Sequence, residues 1–430
     1  ETHDLVESLL SPDDEGKRDF NIANLLTPTD IVSTAVRLAA ASYRDEAGKP
    51  IIADAESFNK NQFHRLANQK TNSNIKADFI QSELLPLIDG SNPLGLRSLF
   101  DGLASLVRYI ANAGGSDIGF PPHSLWLLKR PLLQVMLYWL QSAILDADVL
   151  QSQRLNALRF IMFWVLCVTD EPKASKAAFE LIGGMMPQHG LQAVFLTIYQ
   201  KLVSDGYAHP LFSPDRLTTL VPSVIFVSGK STTGKPLVGW RRFDLPPNAD
   251  DDMRKARDFY RRWWGNGHHY HHSLLFWLQR DYIATEMRGS PVAGREEDTP
   301  YDFDHILPQS HWFGCSKVAG DRILEHMEND GAHHFLGNSI GNVRIWDCSK
   351  NRHDGDDSPD LKLANAADRR YSLIDESHWP YWNDCSVDDL NNKKKWSATR
   401  ASGFQLAVEK RAFDLYEKFY SDLRFGDWTD

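Results

Sequence analysis

The sequence predicts a mainly α fold in two parts: a long helical region, followed by a smaller region where two short strands join the helices. Three observations lead there. Apolar residues recur at helical spacing through residues 1–220. A Gly/Pro-rich stretch, Gly289 to Gly294, followed by Arg295 to Pro300, breaks the pattern and reads as a linker. Beyond it, Asn342 to Trp346 reads as a strand, and Asp347 as the N-cap of a helix that carries Asn351 in its opening turns.

Each element follows from local chemistry. Thr27-Pro28 looks like a cap and a first-turn proline ahead of Ile31, Val32, Ala35 and Leu38. Leu96 to Ile110 forms a second helical pattern, ended by Gly114-Gly115, and a third starts at Pro131. Leu155 to Val168 is apolar nearly all round, as in a buried helix. Val224 to Phe243 changes to a strand pattern around a Gly-rich turn. Met253 to Trp264 and His272 to Arg288 read as helices on either side of Gly265-Asn266-Gly267. The final helix, Phe404 to Tyr420, is amphipathic. The expected division is a helical domain at 1–220, a hairpin and helical connector at 221–300, and a C-terminal domain at 301–430.

Composition narrows the class. A chain of 430 residues exceeds one typical core, and 42% hydrophobic residues with 13 Trp can fill two or three. The net charge of −10 (47 minus 57) is unhelpful for a polyanion ligand, so phosphate contact would require a local basic surface. Cys167, Cys315, Cys348 and Cys385 form no Cys-x-x-Cys pair, which argues against structural zinc and suits a reducing compartment. The longest apolar run, Ile161 to Val168, is too short to span a bilayer, and no signal peptide is visible. A cytoplasmic chain is expected.

The chemistry concentrates at Asp304-His305, with Asn342 37 positions after the histidine and Asn351 nine further on. Hydrolysing a phosphodiester needs a base near the working pH, which His supplies. It also needs compensation for charge building on phosphate; Mg²⁺ provides this and prefers carboxylate and amide oxygens. In this reading His305 is the base, Asp304 and Asn351 ligate Mg²⁺ (or Mn²⁺), and Asn342 orients the loop presenting His305.

The stretch Phe303 to Ser310, followed by Leu336 to Asn342 and Asn351, resembles the C-terminal HNH domain of GmrSD-type restriction enzymes. It is also similar to SspE-type phage-defence nucleases. The resemblance covers about residues 270 to 420, including the helix Leu274 to Leu278 and Arg411 on the C-terminal helix. It implies a ββα-metal nuclease core that nicks or cuts foreign DNA. Such enzymes carry an N-terminal nucleotide-handling domain marked by Asp-Gly-Gln-Gln-Arg. That string does not occur here and the chain begins at Glu1, so a missing N-terminal sensor domain is the expected partner, with no nucleotide bound in this chain. The second reading is a DNA- or partner-binding module whose HNH core is silent without that domain.

Other motifs are less specific. Gly229 to Lys235 matches the start of a P-loop, but Pro236 stands where a hydroxyl should hold Mg²⁺, so a hairpin turn is expected. His268 to His272 reads as a polar helix start or, more sharply, as a phosphate contact. Any of His311, His326, His333 and His334 could protonate a leaving group. For DNA, Arg241, Arg242, Arg261 and Arg262 interleave with Trp240, Tyr260, Trp263 and Trp264, while Lys393, Lys394, Lys395 and Arg400 surround Trp396. Either cluster is equally a solvated helix face. RNA as substrate stays open.

Overall fold

In the computed structural model the described residues are 28–42, 93–111, 117–121, 127–142, 147–185, 192–226, 243, 245–265, 272–287, 299–312, 336–387, 391 and 396–429. They are mainly helical, with a two-stranded sheet among them. No helix among them is long and apolar enough to cross a membrane. The chain divides into two compact units. The first comprises Glu1–Ala113, Pro122–Ala208 and Pro291–Glu296; the second comprises Gly114–Pro121, His209–Ser290 and Glu297–Asp430. The connector expected at 221–300 therefore does not stand apart, since most of it clusters with the C-terminal residues.

In the first unit the described helices are α1 (Pro28–Ser42), α2 (Pro93–Ile110), α3 (Arg130–Ser142), α4 (Ala147–Cys167), α5 (Glu171–Met185) and α6 (Gln192–Ser204). The all-round apolar pattern of α4 matches its burial: Leu158, Phe160, Ile161, Met162, Phe163 and Trp164 are all inaccessible or nearly so. Among the described residues, Arg37 and Arg159 bring charge into this core. Arg37 donates from Nη1 to Gln134 Oε1 at 2.5 Å and lies 4.0 Å over the Phe179 ring. Gln134 passes a bond to Thr34 at 3.0 Å.

The second unit opens with α7 (Pro214–Leu220) and α8 (Pro222–Ile225). The strand expected from Val224 is corrected here: Pro222 occupies the first turn of α8, where its missing N–H costs nothing, and Val224 and Ile225 are helical. The P-loop-like segment lies outside the described residues. Helix α9 (Asp251–Trp264) is capped by Asp250 and buries Phe259, Tyr260, Trp263 and Trp264. Two short helices, α10 (Leu275–Leu278) and α11 (Arg280–Glu286), replace the single one expected from His272.

Strands β1 (Tyr301–His305) and β2 (Val343–Asp347) pair antiparallel, with Asp304 opposite Arg344 and His305 opposite Val343. The short helix α12 (Gln309–Trp312) follows β1. The outer edge of β2 is not left open. Gln279 accepts from Ile345 N at 2.7 Å, donates to Ile345 O at 3.2 Å, and so stands in for a third strand. Helix α13 (Cys348–Asp354) starts at Asp347, whose carboxylate accepts from Ser349 N and Lys350 N. Then come α14 (Pro359–Lys362), α15 (Ala366–Tyr371), α16 (Trp379–Asp384), the long α17 (Ala398–Asp422) and α18 (Gly426–Thr429). Trp263 donates to Ala412 O at 2.8 Å and rings against Tyr416 and Phe419, tying α9 to α17.

Candidate active site

His305 ends β1 and is 9% exposed. Its Nε2 lies 2.8 Å from Asn338 Oδ1. An amide oxygen only accepts, so Nε2 carries the proton and Nδ1 bears the lone pair of the neutral ring. Asn338 is held in turn: its backbone oxygen accepts from His272 Nε2 at 2.7 Å, and His272 is buried. The phosphate-contact reading of His272 is thereby corrected, because its ring faces inward to position Asn338. His268 to His271 lie outside the described residues. Trp312 packs its ring at 67° to His305, centroids 5.8 Å apart. Burial favours the uncharged imidazole and lowers the His305 pKa below its ordinary value, against smaller opposing effects of Asn338 and Asp304.

Asn342 is fully buried and bridges two backbone segments. Its Oδ1 accepts from Leu307 N at 2.9 Å; its Nδ2 donates to Leu307 O at 3.1 Å and Gly337 O at 2.8 Å. Its own carbonyl accepts from Ile306 N at 2.8 Å. The residues just after His305 are thus stapled to the turn before β2. At its two glycines that turn has no room for a side chain. A Cβ on Gly337 would meet Trp312 at 2.4 Å, and one on Gly341 would meet Val408 O at 2.1 Å. Arg411 reaches in from α17 and donates to Ile340, Gly341 and Val343 carbonyls, each at 2.9 Å, and to Ser372 O at 2.8 Å.

Asp304 lies 4% exposed on the α13-covered face of the hairpin. Both carboxylate oxygens are engaged. Arg344 Nε donates to Oδ2 at 2.8 Å, and Lys362 Nζ donates to Oδ1 at 2.6 Å and to His305 O at 3.0 Å. Burial opposes ionisation of Asp304, yet the two cations prevail and hold its carboxyl below the ordinary carboxylate range. Arg344 also stacks 3.7 Å over Trp346 and donates to Ser372 Oγ at 3.0 Å. Asn351 turns its amide nitrogen to Asp302 Oδ2 at 3.0 Å.

This arrangement does not fit the expected ion. Mg²⁺ needs carboxylate and amide oxygens at about 2.0–2.1 Å, and each Asp304 oxygen already accepts from a buried cation, an ammonium at one and a guanidinium at the other. Among the described residues no three His, Cys, Asp or Glu side chains converge on a point that could hold a metal. The assignment of Asp304 as an open metal ligand is corrected accordingly: as folded, it is the anion of a buried ionic cluster.

Two further expectations change. Arg400 does not face solvent. It donates to Cys385 O at 2.9 Å and to His311 Nδ1 at 3.2 Å, and stacks 4.1 Å over Trp396. His311 is fully buried and donates from Nε2 to Asp356 O at 2.8 Å, so it cannot serve as a leaving-group acid. Arg261 and Arg262 are half-exposed at the end of α9. Arg241, Arg242, Lys393, Lys394, Lys395, His326, His333 and His334 lie outside the described residues. Sequence reasoning assigned no role to Asn338, although it lies inside the Leu-Gly-Asn-Ser run that carries the resemblance. It missed Lys362 altogether, which stands 58 positions from Asp304 with no local signal. Scans of family models, curated proteins and solved structures returned no match to this chain.

Proposed function

We propose that the second unit is an HNH-type nuclease that hydrolyses phosphodiester bonds of DNA. The observation that supports this best is the His272–Asn338–His305 relay, which leaves Nδ1 of a neutral, buried imidazole as the basic atom at the end of β1. In the proposed step a water gives its proton to His305 Nδ1 while its oxygen bonds to phosphorus. The phosphorus–oxygen bond to the 3′ oxygen breaks, and that oxygen takes a proton from solvent. Asn342 and Arg411 act as positioning residues, holding the turn against which His305 is set. The resemblance extends the proposal to restriction of foreign DNA, with an N-terminal sensor domain as partner.

General-base help is worth about 10²–10⁴-fold. Conversion of supercoiled plasmid to nicked circles should therefore fall by at least about two orders of magnitude in His305→Ala. Equal rates for the two proteins would refute the assignment. One observation favours a second reading, a DNA-binding module with a silent core: Asp304 is already ion-paired. Tight DNA binding without nicking, in Mg²⁺ and in Mn²⁺, would select that reading; cleavage of RNA alone would change the substrate class.

A further inference from the structure

We propose that Lys362 is an internal counter-ion that, with Arg344, closes the Asp304 carboxylate to divalent cations. The inference rests on the nuclease reading for its biological meaning, though not for its test. Three observations carry it. Lys362 Nζ bridges Asp304 Oδ1 and the backbone oxygen of His305, so one ammonium spans both residues of the pair expected to bind an ion and activate water. The lysine side chain is 1% exposed and Asp304 4%, which makes this a built contact rather than a surface pair. Arg344, inaccessible and directly across the hairpin, takes the other oxygen, so each carboxylate oxygen already accepts from a buried cation.

The two cations differ in how they are held. Arg344 belongs to β2, is stacked on Trp346 and is bonded to Ser372; moving it would break the hairpin. Lys362 hangs on a four-residue helix, Pro359–Lys362, next to Leu361, the exposed large hydrophobic residue among those described. Lys362 is thus joined to the hairpin through its side chain, whereas Arg344 is part of the strand itself.

The test uses the full chain and Mn²⁺ as probe, with bound ion measured from the loss of the free-Mn²⁺ EPR signal. Wild type should show no Asp304-dependent site in the micromolar range. Lys362→Gln removes the charge but keeps a donor for Asp304. It should gain a site at least about tenfold tighter than wild type, and adding Asp304→Asn should abolish that site. Wild-type Mn²⁺ binding that is lost in Asp304→Asn and unchanged in Lys362→Gln would overturn the proposal. So would a folded Lys362→Gln protein that gains no site. Should Lys362→Gln fail to fold, the Lys362 ammonium is followed by ¹⁵N NMR in wild type. A slowly exchanging signal that persists in millimolar Mg²⁺ supports closure, and its disappearance refutes it. Plasmid nicking by the same proteins is scored separately, so an inactive His305 and an open Asp304 give different results.

Discussion

Asn342 and Asp304 are both buried on the same hairpin, yet they are satisfied in opposite ways. Asn342 directs its amide to three backbone groups of Leu307 and Gly337, and nothing there can leave without unfolding the turn. Asp304 is satisfied by two side-chain cations, one of them on a short helix far along the chain. The first arrangement fixes geometry. The second stores a charge that can be exchanged. A phosphodiester-cleaving site needs both kinds of residue, and the contrast separates the group that presents His305 from the groups that decide whether a cation is admitted beside it.

The largest effect should come from breaking the ionic side alone. Asp304→Asn leaves Lys362 buried without its bonded anion and Arg344 with Asp354 alone, at 3.5 Å, which should cost roughly 3–5 kcal/mol in chemical denaturation. Adding Lys362→Met removes one stranded charge and should restore part of that loss. Asn342→Ala strands the Leu307 N–H and two carbonyls and should cost roughly 2–4 kcal/mol, with no rescue from Lys362→Met. If the lysine substitution rescued both variants equally, the distinction between the two residues would fail.

A smaller effect concerns protonation. His305 is buried and its pKa is lowered, so the neutral base should survive to lower pH than in a free imidazole. The sign follows from linkage. A His whose folded pKa is depressed contributes stability above its unfolded value, near 6.5, and loses it as pH falls toward the folded value. If the chain nicks DNA, its rate should be flat above that value, with an acid limb inflecting below it and falling about tenfold per pH unit. Asn338→Ala removes the bond that favours the charged ring and should move that limb further down. An inflection above 6.5 in wild type would contradict a desolvated His305.

What could be read in the sequence was local. The strand read at Asn342 to Trp346 is found one residue on, at Val343–Asp347, and the helix carrying Asn351 starts at the cap residue expected, Asp347. The loop-orienting role expected of Asn342 came from the His and Asn set taken together, not from any local pattern around it. Lys362 could not be found this way, because its partner is reached by a fold-back that leaves no periodic trace. The strand expected from Val224 failed because Pro222 starts a helical turn, and a short apolar run cannot tell the two states apart. Trp396 beside Arg400 resembled a nucleic-acid platform, yet stacking inside a core uses the same residue types.

That last misreading turns into the finest test of the comparison. If a charge with an internal partner is withdrawn from outside ligands, Arg400 should be silent in DNA binding, whereas Arg261 should not. Arg261 lies half-exposed on the last turn of α9, and the Trp264 carbonyl at the same end accepts from Ile340 N at 2.9 Å, next to the Asn342 turn. A cation there is tied to the site without being used by it. In metal-free buffer, Arg261→Gln should lower the slope of log K against log[salt] by about 0.9, one phosphate contact. Arg400→Gln should leave the slope unchanged while lowering the melting temperature, since it unpairs His311 Nδ1 and Cys385 O. A reduced slope in Arg400→Gln with none in Arg261→Gln would mean that the buried partners open on DNA, and that Asp304 and its cations need not behave as a closed cluster when nucleic acid is present.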